Sequence, residues 1–191
     1  ESTKLYTIRY NMIYKIIDNY APKEMLESFK ENLHSEQFPW YYHDYVAKAE
    51  VKEPEEFYFT HTFFSYGENH TFGVNSDYFE KIIVPLCFLR LGKNYELIRA
   101  KANLFTKRDK LVKYGLHTDY KIDKHTTWVY SLNTNNGYTE FEDGTKIPSI
   151  ENQLLIFDGN IAHRSVCQTD TRARINLNIN FKMDPEILCK S

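Results

Sequence analysis

The stretch RARINLNINF, Arg172 to Phe181, alternates strictly. Ile175, Leu177, Ile179 and Phe181 fall on one side, and Arg172, Arg174, Asn176, Asn178 and Asn180 on the other. A period of two separates the faces of a half-buried β-strand. The polar face meets either water or a polar cavity enclosed by a second sheet, and the strand alone does not choose. Its neighbours extend the pattern. "MIYKII" (12–17), "FYFTHTFF" (57–64), "YELIRAKANLF" (95–105), "TTWVYSLN" (126–133), "YTEFED" (138–143) and "NQLLIFD" (152–158) are short and rich in β-branched or aromatic residues. Turn signals separate them: Asn135-Asn136-Gly137, Asp143-Gly144 and Asp158-Gly159-Asn160. From Tyr95 onward the strands follow one another without helices, which predicts a sandwich or barrel rather than a parallel α/β sheet.

Two segments read as helices. In "APKEMLESFKENLH" (21–34), Met25, Leu26, Phe29 and Leu33 share one face, with Pro22 suited to the first turn. In "SDYFEKIIVPLCFLRLG" (76–92), Asp77 and Glu80 resemble an N-terminal cap, Gly92 supplies a stop, and Pro85 kinks or divides the helix. Both need a sheet to pack against.

The chain has 191 residues, 42% of them apolar and 16% aromatic, with a net charge of −2. One domain with a sizeable core is expected, with helices and flanking strands over 1–98 and a β core over 99–181. The charge gives no sign of a nucleic-acid partner, and the basic residues between Lys93 and Lys113 read as a solvated face. No apolar run approaches the roughly 20 residues of a membrane helix. Cys87, Cys167 and Cys189 are odd in number and widely spaced, so free thiols in a reducing, cytoplasmic setting are expected.

Within "YGLHTDYKI" (114–122), His117 and Asp119 lie two residues apart, a spacing that puts both on one face of an extended chain. His163, in "FDGNIAHRSV", follows a turn and is the best third ligand. Two histidines and a carboxylate fill one face of an octahedron and leave the other open, which suits non-haem Fe(II); a structural zinc site takes four protein ligands. Arg172, nine residues beyond His163, is the preferred anchor for an anionic co-substrate, with Arg174 its rival. Asp123-Lys124-His125 repeats the Asp/His spacing in reverse and reads as a solvated loop. His34, His43, His61 and His70 read as structural or exposed.

His117-x-Asp119, His163 and Arg172, with "NNGYTEFEDGTKIPSIENQLLIFDGNIAHRS" between them, resemble the Fe(II)- and 2-oxoglutarate-dependent dioxygenases, and among these the prolyl-4-hydroxylase-like branch. The resemblance runs from about Arg99 to Phe181. It implies a mainly β, double-stranded β-helix (jelly-roll) fold with N-terminal helices on its larger sheet. It implies that iron(II), 2-oxoglutarate and O2 serve as cofactor and co-substrates, with ascorbate as a reductant. It also implies hydroxylation of a C–H bond in a prolyl or other amino-acid side chain, with release of succinate and CO2; a free amino acid, a small metabolite or a modified nucleobase is left open as the substrate. Arg172 would pair with the co-substrate's far carboxylate, and Tyr130 and Asn103 would be further contacts. The sequence departs from the branch in placing Asn103 or Phe105 where an aromatic hydrogen-bonding residue is usual, and in the polar Asn176 and Asn178. Two other functions fit the residues: a jelly-roll module that binds a metal or sugar without turnover, and a hydrolase using zinc at the same three ligands.

Overall fold

The computed structural model describes residues 14–46, 57–66, 72–93 and 95–184; His70 and Cys189 lie outside them. The elements run β1 (Tyr14–Ile17), α1 (Lys23–Leu33), β2 (Tyr41–His43), β3 (Tyr58–Tyr66), β4 (Phe72–Val74) and a π-helical turn (Phe79–Ile83) that leads into α2 (Val84–Leu91). There follow β5 (Leu97–Thr106), β6 (Thr126–Ser131), β7 (Asn135–Phe141), β8 (Lys146–Ser149), β9 (Gln153–Asp158), β10 (His163–Val166) and β11 (Ala173–Phe181).

The strands form two antiparallel sheets in a jelly-roll. The larger has the order β1-β9-β6-β11-β5-β3-β2, with β4 added to β3, and the smaller has the order β10-β7-β8. Bridges from Lys113 to Val166 and from His117 to His163 lay residues 113–117 along the free edge of β10. The N-terminal half therefore completes the larger sheet at both ends. Turns form at Asp143-Gly144 and Asp158-Gly159 as expected. Asn135-Asn136-Gly137 is no hairpin turn; it opens β7, where the register with β8 shifts between Asn135 and Tyr138.

Both helices cover the outer face of the larger sheet. Leu26, Phe29 and Leu33 of α1 are buried there with Trp128, Leu177 and Ile179. The end of α1 is closed by the His34 ring on the Lys30 carbonyl (2.9 Å) and by the Trp40 indole donating to the Leu33 carbonyl (3.2 Å). Both bonds satisfy acceptors that a helix end leaves open. Pro85 sits in the first turn of α2, where its missing N–H costs least, and the π-helical turn precedes it. The start of that turn is held by Ser76, whose Oγ accepts from the Tyr78 N–H (3.1 Å), and not by the exposed Asp77.

The alternation of β11 is resolved by this packing. Ile175, Leu177, Ile179 and Phe181 join the core beneath the helices, while Arg174, Asn176, Asn178 and Asn180 are buried between the two sheets. The polar face therefore lines the sandwich interior. His125 corrects the expectation of a solvated loop: it is fully buried, its Nδ1 2.7 Å from the Ile122 carbonyl. Its ring lies against Gly159, where an added Cβ would overlap the imidazole. Gly159→Ala should thus lower stability by about 1–3 kcal/mol, read as a lower urea midpoint. It should also disturb His163, which the same turn carries.

Candidate metal centre and ligand pocket

His117 and His163 face each other across a backbone bridge in which each N–H donates to the other's carbonyl, at 3.0 and 2.9 Å. Their ring centroids are 4.9 Å apart. Each Nδ1 approaches a carbonyl two residues earlier, Gly115 at 3.0 Å and Ile161 at 3.1 Å. A carbonyl only accepts, so Nδ1 carries a proton in both rings, and in the neutral tautomer this selects, Nε2 is the nitrogen with the lone pair. Those lone pairs turn toward Asp119: His117 Nε2 is 3.9 Å from Oδ1 and His163 Nε2 is 4.0 Å from Oδ2. Burial pushes the His163 imidazole below its usual range, against the pull of Asp119, which favours the neutral form a metal requires. The ligand atoms of the three residues lie within 4.8 Å of one another, and among the described residues no fourth His, Cys, Asp or Glu joins them. The donor set is the two-histidine, one-carboxylate triad that suits Fe(II).

The Asp119 carboxylate is held by a cage. Arg99 Nη2 donates to Oδ1 (2.9 Å), while Asn178 and Asn180 donate to Oδ2 at 3.1 and 2.9 Å. The same Arg99 nitrogen reaches the Asn178 and Asn180 side-chain carbonyls at 3.0 and 3.1 Å. Antiparallel register explains the convergence, since Asn178 pairs with Lys101 and Asn180 with Arg99. Burial acts to raise this carboxyl; Arg99, with His163 and Lys101, outweighs it and holds Asp119 well below the usual range. Asn176 and Asn178 thus have partners: Asn178 holds Asp119, and Asn176 accepts from Asn103 Nδ2 at 2.9 Å.

An inner cavity opens from the triad between the sheets, with Asn103, Phe105, Val129, Thr139 and Asn176 among its walls. Phe105 lies under the guanidinium of Arg174, 5.4 Å from ring centroid to carbon. Arg174 is 1% exposed, and its Nε donates to Ser149 Oγ at 2.7 Å. Its Nη1 is buried without a hydrogen-bond partner among the described residues. Burial pushes the guanidinium down to about 10, so it remains a cation at neutral pH. Gly137 makes room for it: a Cβ there would come within 3.0 Å of Arg174 Cδ and 2.8 Å of the Val166 carbonyl. Tyr114, also buried, stacks on Phe105 at 5.6 Å.

Two expected contacts are corrected. Arg172 is exposed, in a bend before β11 begins, so the strand's alternation does not reach it; Arg174 is the inward arginine. Tyr130 is on the wrong face of β6. It is buried under α1 with its ring against Phe29, and its hydroxyl donates to Asn152 Oδ1 at 2.8 Å, while its neighbour Val129 faces the cavity. Asn103 does line the cavity. The basic segment is corrected too: Arg99 and Lys101 turn into the site, a placement signalled by the alternation of Arg99, Lys101 and Asn103 with Ala100 and Ala102.

No protein-family model and no curated protein matches the sequence. Solved structures do match. An oxidoreductase of the 2OG-Fe(II) oxygenase family from Burkholderia pseudomallei superposes with a TM-score of 0.71 at 12% identity, over 90% of this chain and 86% of that one. The fold is that of the 2OG-Fe(II) oxygenases. A prolyl-4-hydroxylase from Pseudomonas putida shares this oxygenase fold at a TM-score of 0.57 and 12% identity, covering 91% of this chain and 94% of that one. The epimerase SnoN from nogalamycin biosynthesis, in complex with Fe3+, alpha-ketoglutarate and nogalamycin RO, shares it at 0.57 and 11% identity, covering 91% and 79%.

Proposed function

We propose that the protein is an Fe(II)- and 2-oxoglutarate-dependent oxygenase that hydroxylates an unactivated C–H bond. In the balanced reaction, one atom of O2 enters the product as hydroxyl and the other enters succinate as 2-oxoglutarate loses CO2. The observation that carries this reading is the pairing of a three-residue cluster, His117, Asp119 and His163, with a buried guanidinium, Arg174, whose Nη1 has no hydrogen-bond partner among the described residues. A buried charged donor left unpaired is costly, and a carboxylate is its natural complement.

His117, Asp119 and His163 would hold iron(II), which when bound supplies the centre where O2 is reduced at the expense of 2-oxoglutarate. Arg174, fixed by Ser149 and by the Phe105 ring, would take the far carboxylate. Along the inner face of β11 the side chains are ordered from that anchor (Arg174), through Asn176, to the Asp119 partners Asn178 and Asn180. The fixed Nδ1 bonds of both histidines orient their rings in advance, so little reorganisation is needed on loading. A zinc hydrolase is less well supported. It needs a general base, and among the described residues the inner cavity has no carboxylate in its walls besides Asp119. A binding module without turnover would leave the Arg174 edge unexplained.

The test is anaerobic reconstitution with Fe(II) followed by 2-oxoglutarate. A weak visible charge-transfer band should appear, and admission of O2 should then release succinate. Tight zinc retention without that band would point to the hydrolase instead.

A further inference from the structure

Outside the triad lies a second pocket of about 480 Å³, walled by Tyr45, Tyr58 and Tyr120 and bearing three basic side chains, Arg99, Lys101 and Lys121. It is a cationic recess in a chain of net charge −2. Among the described residues Asp119 is the one carboxylate in its walls, and Arg99 is already paired with it at 2.9 Å. Lys101 is placed differently. It is part-buried on β5, its Nζ lies 5.6 Å over the Tyr58 ring, and no carboxylate among the described residues forms an ion pair with it. Tyr58 is in turn stacked on Phe105 at 5.5 Å, so this wall of the pocket is fixed.

Among the described residues Asp119 is the one carboxylate acting on Lys101, it is shared with Arg99, and burial pushes the Lys101 ammonium down to about 7, so a ligand that supplies a further negative charge is favoured. Lys101 lines both cavities, and on the reading above 2-oxoglutarate in the inner one does not supply that charge, because its far carboxylate goes to Arg174 and its other end to the metal. Resting on that reading, we propose that the primary substrate is a small molecule with an anionic head group, a carboxylate or a phosphate. This group pairs with Lys101 in the outer pocket and leaves a C–H bond of the substrate facing His117 and Asp119. The volume suits a small molecule, and a net-negative chain does not attract a long polyanion.

The experiment uses full-length protein loaded anaerobically with Fe(II) and saturating 2-oxoglutarate. Phenylacetate, phenyl phosphate and phenylacetamide share one aromatic body and differ in head group. Each is titrated calorimetrically while the charge-transfer band reports that the co-substrate stays in place. At least one acid should bind about ten-fold or more tightly than the amide, the size of one charge-assisted hydrogen bond. Which acid binds separates carboxylate from phosphate recognition. The preference should fall with added salt, vanish in Lys101→Met and survive in Lys101→Arg. An amide that binds as well as both acids, no acid binding at millimolar concentration, or a preference that persists in Lys101→Met would overturn the inference. If the wild-type band is intact, such a result overturns this inference alone; if the wild type has no band, the co-substrate reading fails and takes this inference with it.

Discussion

Arg174→Met should raise the dissociation constant for 2-oxoglutarate by about 10²–10³-fold, whereas Arg172→Met should leave it close to the wild-type value. The contrast follows from where the two guanidiniums sit. Arg174 is 1% exposed, tied through Nε to Ser149 and laid over Phe105, with Nη1 left for a ligand. Arg172 is in solvent, where an ion pair is worth little. Methionine fills the space above Phe105, so the variant loses the charge without opening a large void. Lysine would not restore binding fully, because a carboxylate loses its two parallel donors. Anaerobic titration of the Fe(II) protein, followed through the chelate band, measures all three variants. Strong loss in Arg172→Met with none in Arg174→Met would place the anchor at the wrong residue.

The different placement of these two arginines marks the limit of reading a face from sequence. Alternation put Arg172 and Arg174 on the same side, and it holds from Ala173 to Phe181. What it does not mark is where the strand begins. The preceding Thr169-Asp170-Thr171 is a turn-forming run, and it is the one sequence signal that β11 starts only after Arg172. Tyr130 was lost for another reason. Every residue of β6 is buried, since helices cover one face and the second sheet the other, so no polar face distinguishes inside from outside.

Elsewhere the pattern was readable and its meaning was not. Arg99, Lys101 and Asn103 alternate with alanines as clearly as the residues of β11 do, yet charged residues at period two normally describe a solvated face. They face inward here because β5 lies beside β11, and the asparagines of β11 meet them across the register. The clustering of His117, Asp119 and His163 was legible because the spacing is local for two of the three residues. His163 joins them through a backbone bridge to His117, a pairing that turn signals suggest and only the fold fixes. Tyr114 stands in the same quoted stretch as His117, but its stacking on Phe105 is a tertiary fact.

Asp119→Ala should do two separable things: abolish metal binding and destabilise the metal-free protein by about 2–3 kcal/mol. The second effect comes from the cage. Removing the carboxylate strands the Arg99 guanidinium and the amides of Asn178 and Asn180, and breaking a buried pair on one side costs about 3–5 kcal/mol. The Arg99 side chain is 20% exposed, so water recovers part of that loss. His117→Ala is the control. Its side chain is 30% exposed, and its loss should weaken metal binding by more than about 100-fold while costing little stability. The double variant Arg99→Met/Asp119→Ala should regain most of the stability and none of the metal affinity, because it removes the stranded charge but not the missing ligand. Acid adds an independent check. Asp119 is held below the ordinary carboxylate range, so its contribution is complete above about pH 4 and lost as pH falls further, and Asp119→Ala should lack that part of the acid sensitivity. Urea midpoints of metal-free protein across pH, with Co(II) titrations alongside, separate the two roles; equal stability losses in Asp119→Ala and His117→Ala would mean that the cage contributes nothing of its own.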